Sequence, residues 1–159
     1  MTSVPNYNGS LTQTPNTLIL HAIGEWFMVD ESLLRAHDFI TSIGLSAHYY
    51  IYPNGEVIQQ RELTQGAYHA KGHNRNSIGV EFCVPGIYSS VRYPRFLDEM
   101  KINYVSDLAY ESALTVCRDA IAQHSIKTVT THTAVDPNRK KDPGTGFPLQ
   151  RFLNDLDME

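Results

Sequence analysis

The chain has 159 residues, 42% of them hydrophobic and 19% charged, which suits one folded domain and excludes a disordered chain. Thirteen basic against seventeen acidic residues leave a formal charge of −4, which argues against nucleic acid or an anionic membrane as a partner. No run approaches the roughly 18 apolar residues that cross a bilayer.

Residues 1–16 are polar with two prolines and read as an N-terminal tail ahead of one domain at 17–159. They hold no basic segment followed by an apolar stretch, so no secretory leader is expected and a cytoplasmic setting is. Residues 17–22 form a short apolar run that reads as a buried strand ending on His21. Asp30 is the expected cap of a helix to about Ile43, with Leu33, Leu34, His37 and Ile40 at helical spacing and Gly44 as its stop. Residues 47–52 and 56–60 read as a hairpin around Pro53-Asn54-Gly55. Residues 77–82 read as a second buried strand, with Glu81 out of place in it. Residues 84–104 carry Pro85, Gly86, Tyr88, Tyr93, Pro94, Phe96 and Tyr104 and are expected to be a long aromatic loop with room for a turn of helix. A helix at about 106–124 follows, then a strand at 127–131 running into His132, a polar loop at 133–148, and a final amphipathic helix marked by Leu149, Phe152, Leu153 and Leu156. The alternation predicts an α/β domain with a central mixed sheet flanked by helices.

Two cysteines, Cys83 and Cys117, are too few for a disulfide framework and read as small buried hydrophobes. The histidines are more informative. His21 and His132 each follow an apolar strand, at the sheet edge where α/β folds bind ligands. The loop after His132 holds Asp136 and Asp142 and is pinned by proline and glycine, so it can return a carboxylate. Two imidazoles and a carboxylate form a common catalytic zinc set with one position open. Glu81 either alternates onto a solvent face or is a buried general base. Lys140 and Lys141 are either a solvated pair or place one ammonium beside an oxyanion. Residues 68–77 read as a polar surface loop or as a lip binding sugar or peptide. Tyr88, Tyr93 and Phe96 either wall a groove or pack on a small core of their own.

In order, these residues resemble a known family. Leu-Ile-Leu-His21 comes first, then Ser-Ala-His48-Tyr-Tyr-Ile-Tyr-Pro-Asn-Gly55. Tyr-His69-Ala-Lys-Gly-His-Asn-Arg-Asn-Ser-Ile-Gly-Val-Glu81 follows, and then Thr-His132 with Arg139-Lys140-Lys141-Asp142-Pro-Gly. The pattern resembles the type 2 zinc-dependent N-acetylmuramoyl-L-alanine amidases, which include phage endolysins, cytoplasmic anhydromuropeptide amidases and peptidoglycan-recognition proteins. The resemblance implies a sheet flanked by helices with a groove over Zn2+. It implies His21, His132 and Asp142 as metal ligands and Glu81 and Lys140 as catalytic residues. His69, Asn76, Arg139, Tyr88, Tyr93 and Phe96 are the expected substrate contacts. Ala47 stands where some phage members have a catalytic tyrosine, and Ala22 where many members have histidine or cysteine.

The implied reaction is hydrolysis of the bond between N-acetylmuramic acid and L-alanine, on peptidoglycan or soluble muropeptides. A monomer without nucleic-acid or membrane partners is expected. If the chain is a phage lysin, it passes from the host cytoplasm to the wall. The competing expectation is a non-catalytic muropeptide-binding module, or a regulator of another protein.

Overall fold

The computed structural model describes the backbone of residues 2–3 and residues 12–158 in full. Among these, seven strands make one mixed sheet: β1 (Thr2–Ser3), β2 (Thr17–Val29), β3 (Ser32–Arg35), β4 (Tyr49–Ile51), β5 (Val57–Gln59), β6 (Ser77–Tyr88) and β7 (Thr128–Thr131). The helices are α1 (Ala36–Ser42), α2 (Pro94–Glu99), α3 (Asp107–His124), α4 (His132–Val135) and α5 (Leu149–Asp155). The order is β1-β5-β4-β6-β2-β3, and β7 also pairs with β2. β2 and β6 are apolar on both faces, so they lie side by side at the centre, parallel to each other. The expected α/β class and mixed sheet are observed.

Alternation along β2 and β6 separates two cores. Leu18, Leu20, Ile78, Val80 and Phe82 pack with Ala113, Cys117 and Phe152 of α3 and α5. Each fully buried aliphatic or aromatic side chain here contributes about 1.5–3 kcal/mol. On the opposite face, Ile23, Tyr50, Tyr52 and Cys83 pack with Ala36 and Ile40 of α1 and Phe96 of α2. His21 and Glu81 are paired in register and belong to this second face, as does Tyr50, which is paired with Glu81 from the other side.

Three expectations are corrected. Residues 30–35 are not the start of a helix. Asp30 and Glu31 are the two-residue turn of a β2–β3 hairpin, and Asp30 takes a φ of 54°, a conformation aspartate tolerates. The helix begins at Ala36 and ends as expected at Gly44, whose φ is 81°. Residues 84–88 are not loop but the continuation of β6. There Pro85 and Gly86 face the single residue Glu25 in a bulge, so proline's missing N–H breaks no ladder bond. The tail expectation does not hold for those of its residues that are described. Residues 4–11 lie outside the described residues, but β1 runs beside β5 and Gln13 is bonded into the domain, with Nε2 donating to the Leu63 carbonyl at 2.8 Å and Oε1 accepting from the Ser77 N–H at 3.1 Å.

Candidate active site

β7 pairs with β2 only along residues 17–20 and ends at Thr131, so His132 arrives beside His21. The Thr131 hydroxyl caps α4 by accepting the Ala134 N–H, which turns the chain away from the sheet. The following loop folds back. The N–H groups of Arg139 and Lys140 both bond to the Asp136 carbonyl, and the Thr133 N–H and hydroxyl hold the Asp142 carbonyl at 3.0 and 2.8 Å. Tyr104 anchors the same loop by donating to the Pro143 carbonyl at 2.7 Å. Of the two candidate carboxylates, Asp142 is the one returned. Asp136 instead accepts from Arg139 Nε at 2.8 Å.

His21, His132 and Asp142 are the one group of metal-binding side chains found together among the described residues, each offering one atom within 4.8 Å of the others. The two Nδ1 atoms are 2.9 Å apart, and Asp142 Oδ2 lies 3.2 Å from that of His21 and 3.1 Å from that of His132. Asp142 Oδ2 also accepts the Ala22 N–H at 3.3 Å. Burial disfavours the Asp142 anion, but the bond from His132 and the nearness of His21 outweigh it and hold the carboxyl well below the usual carboxylate range. Burial keeps His21 neutral below its ordinary value, against the pull of Asp142. Lone pairs that converge so closely are satisfied by a shared cation, and an N,N,O donor set with one side open fits a divalent ion.

Glu81 stands next to this cluster. Its Oε1 is 3.6 Å from His21 Nδ1, and its Oε2 is buried with no hydrogen-bond partner. Burial, then the neighbouring Asp142 charge, pushes its carboxyl well above the ordinary range, and Lys140 opposes this in part. The solvated-face alternative for Glu81 is therefore excluded. Lys140 is half-buried and lines the same cavity, of about 190 Å³, and Lys141 and Arg139 stand at its edge.

The expected substrate contacts divide. Arg139 and Phe96 line the cavity. His69 also borders it, but its nitrogens are engaged, Nδ1 with His21 Nε2 at 2.9 Å and Nε2 with the Ser77 hydroxyl at 3.0 Å. Asn76 is exposed and is not part of the lining. Tyr88 is 1% exposed, packs edge-on against Phe96 and donates to the Pro85 carbonyl, so it belongs to the small core and not to a groove wall. Tyr93 is exposed beyond the lining, where it precedes α2. The wall is mainly aliphatic instead, built by Ile23, Ile43, Leu45 and Leu97. Sequence reasoning passed over these, although Ile43 and Leu45 flank the helix-stopping Gly44 and so signalled an exposed apolar lip.

A family model described as N-acetylmuramoyl-L-alanine amidase matches residues 11–145. The chain is 29% identical to the 1,6-anhydro-N-acetylmuramyl-L-alanine amidase AmpD of Escherichia coli, over 88% of this chain and 81% of that protein. Among solved structures it is similar to the N-acetylmuramoyl-L-alanine amidase LysC from Clostridium intestinale URNW, with a TM-score of 0.73 and 18% identity over 99% of this chain and 97% of that one. It is also similar to the amidase AmiD from E. coli in complex with anhydro-N-acetylmuramic acid-L-Ala-D-gamma-Glu-L-Lys, with a TM-score of 0.61 and 21% identity over 94% of this chain and 60% of that one.

Proposed function

The chain belongs to the N-acetylmuramoyl-L-alanine amidase family, and from that premise we propose that it cuts the amide between N-acetylmuramic acid and L-alanine using zinc held by His21, His132 and Asp142. The observation that carries this is the convergence of three ligand atoms beside a buried carboxylate oxygen with no partner. A bound zinc ion would polarise the scissile carbonyl and lower the pKa of a coordinated water from about 15.7 towards about 7.

The chain's own residues supply the rest. Glu81 takes the proton of the attacking water, and its raised affinity for protons suits that task. It then returns the proton to the nitrogen of the departing L-alanine. Lys140 places positive charge beside the oxyanion that forms at the carbonyl. The aliphatic wall excludes bulk water, and Arg139 and Lys141 face the carboxylates of a stem peptide. A module that only binds muropeptides has no use for this arrangement of base and ligands. The catalytic unit is assigned to residues 17–159 and acts as a monomer.

Digestion of peptidoglycan or soluble anhydromuropeptides by zinc-loaded protein should release new amino groups on L-alanine and no new reducing sugar ends. Reducing ends as the main product would overturn the assignment. Turnover on intact sacculi against turnover on soluble anhydromuropeptides separates a wall-lytic endolysin from a recycling enzyme. The AmpD likeness favours the soluble substrate.

A further inference from the structure

Behind His21 lies a chain of polar groups whose direction follows from counting hydrogens. The His73 carbonyl only accepts, so the Ser77 hydroxyl, 2.5 Å away, gives it its one hydrogen. The Ser77 oxygen is then an acceptor for His69 Nε2 at 3.0 Å, which must carry a hydrogen. The rings His69 meets are those of His21 and His48, at 5.0 and 5.8 Å, and a neutral imidazole with its hydrogen on Nε2 carries its lone pair on Nδ1. That atom is 2.9 Å from His21 Nε2, so His21 donates from Nε2. The remaining nitrogen of His21, Nδ1, is left bare, and it is the atom that faces His132 and Asp142.

The backbone of β6 is shaped around this chain. Ser77, Gly79 and Glu81 alternate onto one face. A Cβ at Gly79 would meet Nδ1 of His69 at 2.6 Å, so glycine leaves the space the ring occupies. His48 pins that glycine on both sides. Its N–H donates to the Gly79 carbonyl at 3.0 Å, and its Nδ1 accepts the Gly79 N–H at 2.9 Å.

We propose that His69 is a positioning residue: with Ser77 it fixes His21 as the Nε2–H tautomer and so aims Nδ1 at the metal position. Ligand histidines commonly donate their second nitrogen to a carboxylate or carbonyl. Here the acceptor is a neutral imidazole, which orients His21 without adding negative charge, so Asp142 is the only anion among the three ligands. His69 therefore belongs behind the ligands and not on the substrate.

The role assumes that His21, His132 and Asp142 hold the metal, and two readouts separate the two claims. Long-range proton–nitrogen NMR on metal-free, histidine-labelled protein should show His21 protonated at Nε2. His69→Phe and Ser77→Ala should introduce the Nδ1–H form. Zinc affinity by chelator competition should fall by about 10–100-fold in His69→Phe. The fall should be smaller in Ser77→Ala, and His69→Gln should recover part of it, because its amide oxygen can accept from His21. An Nδ1–H tautomer in the wild-type protein would overturn the relay. So would an unchanged tautomer and affinity in folded Ser77→Ala, which serves where His69→Phe does not fold. A wild-type protein that binds no zinc would overturn the metal reading instead, and the tautomer would still decide the relay.

Discussion

On one face of β6, Ile78, Val80 and Phe82 are buried against α3 and α5, while on the other Ser77, Gly79 and Glu81 build the site. The apolar face is defined by volume, and several hydrophobic residues of similar size would fill it. The site face is defined atom by atom: a hydroxyl with one hydrogen to give, a missing Cβ, and a carboxyl oxygen left without a partner. Damage to the first face should therefore appear as lost stability, and damage to the second as lost chemistry in a folded protein.

The largest expected effect is at Asp142, the one carboxylate among the three proposed ligands. Asp142→Ala should lose zinc and activity together, by elemental analysis and amidase assay. Asp142→Cys should keep zinc, because thiolate is an accepted ligand. If Asp142→Ala keeps its full zinc content, Asp142 is not one of the ligands. Next come Glu81→Gln and Lys140→Met, which should each retain zinc yet lower turnover by about 10²–10⁴-fold. Near-native turnover in Glu81→Gln would place the base elsewhere.

On the apolar face, Phe82→Ala removes a ring that packs 4.7 Å from that of Phe147 and 5.9 Å from that of Phe152. It should cost about 3–5 kcal/mol by denaturant unfolding, with activity per folded molecule preserved. A catalytic defect without loss of stability would show that the two faces are coupled.

The smallest expected effect is on pH dependence. Burial lowers the pKa of His48 to about 4, so it is neutral in the folded state. The unfolded chain takes up its proton near pH 6.5 and the folded one only near 4. The contribution of His48 is therefore complete above about pH 6.5 and is lost as pH falls towards 4. In metal-free protein, His48→Asn should flatten this part of the stability profile. Equal slopes in the two proteins would show that His48 is not buried neutral.

The central strands are legible because residues 17–22 and 77–82 are short, mostly apolar runs, and the hairpin because its Pro-Asn-Gly turn admits few alternatives. The far halves of β2 and β6 were not legible. Met28 and Ile87 are exposed, and Pro85 with Gly86 imitates a loop, because the bulge that admits them depends on the partner strand. Asp30 misled because aspartate serves both helix caps and left-handed turns. The site was more legible than the sheet, since strand-end histidines and a misplaced glutamate stand out against apolar surroundings. What local sequence does not record is direction. By sequence His69 reads as a lip residue, but Ser77 engages its Nε2, and Tyr88 reads as a groove wall, but its ring packs edge-on against Phe96.

Along the edge of β2 that carries β7 at residues 17–20 and β3 at 26–29, no strand pairs with residues 21–25 among the described residues. The Ala22 N–H in that gap is taken by Asp142 Oδ2. The carboxylate thus stands in for a neighbouring strand, and the loop that carries it stops up a breach in the weave. Were β7 two residues longer, the sheet would be more regular and His132 would be carried past the gap, leaving Asp142 no backbone to rest on. Regular strand pairing and the reactive centre compete for the same stretch of main chain, and here the centre holds the seam.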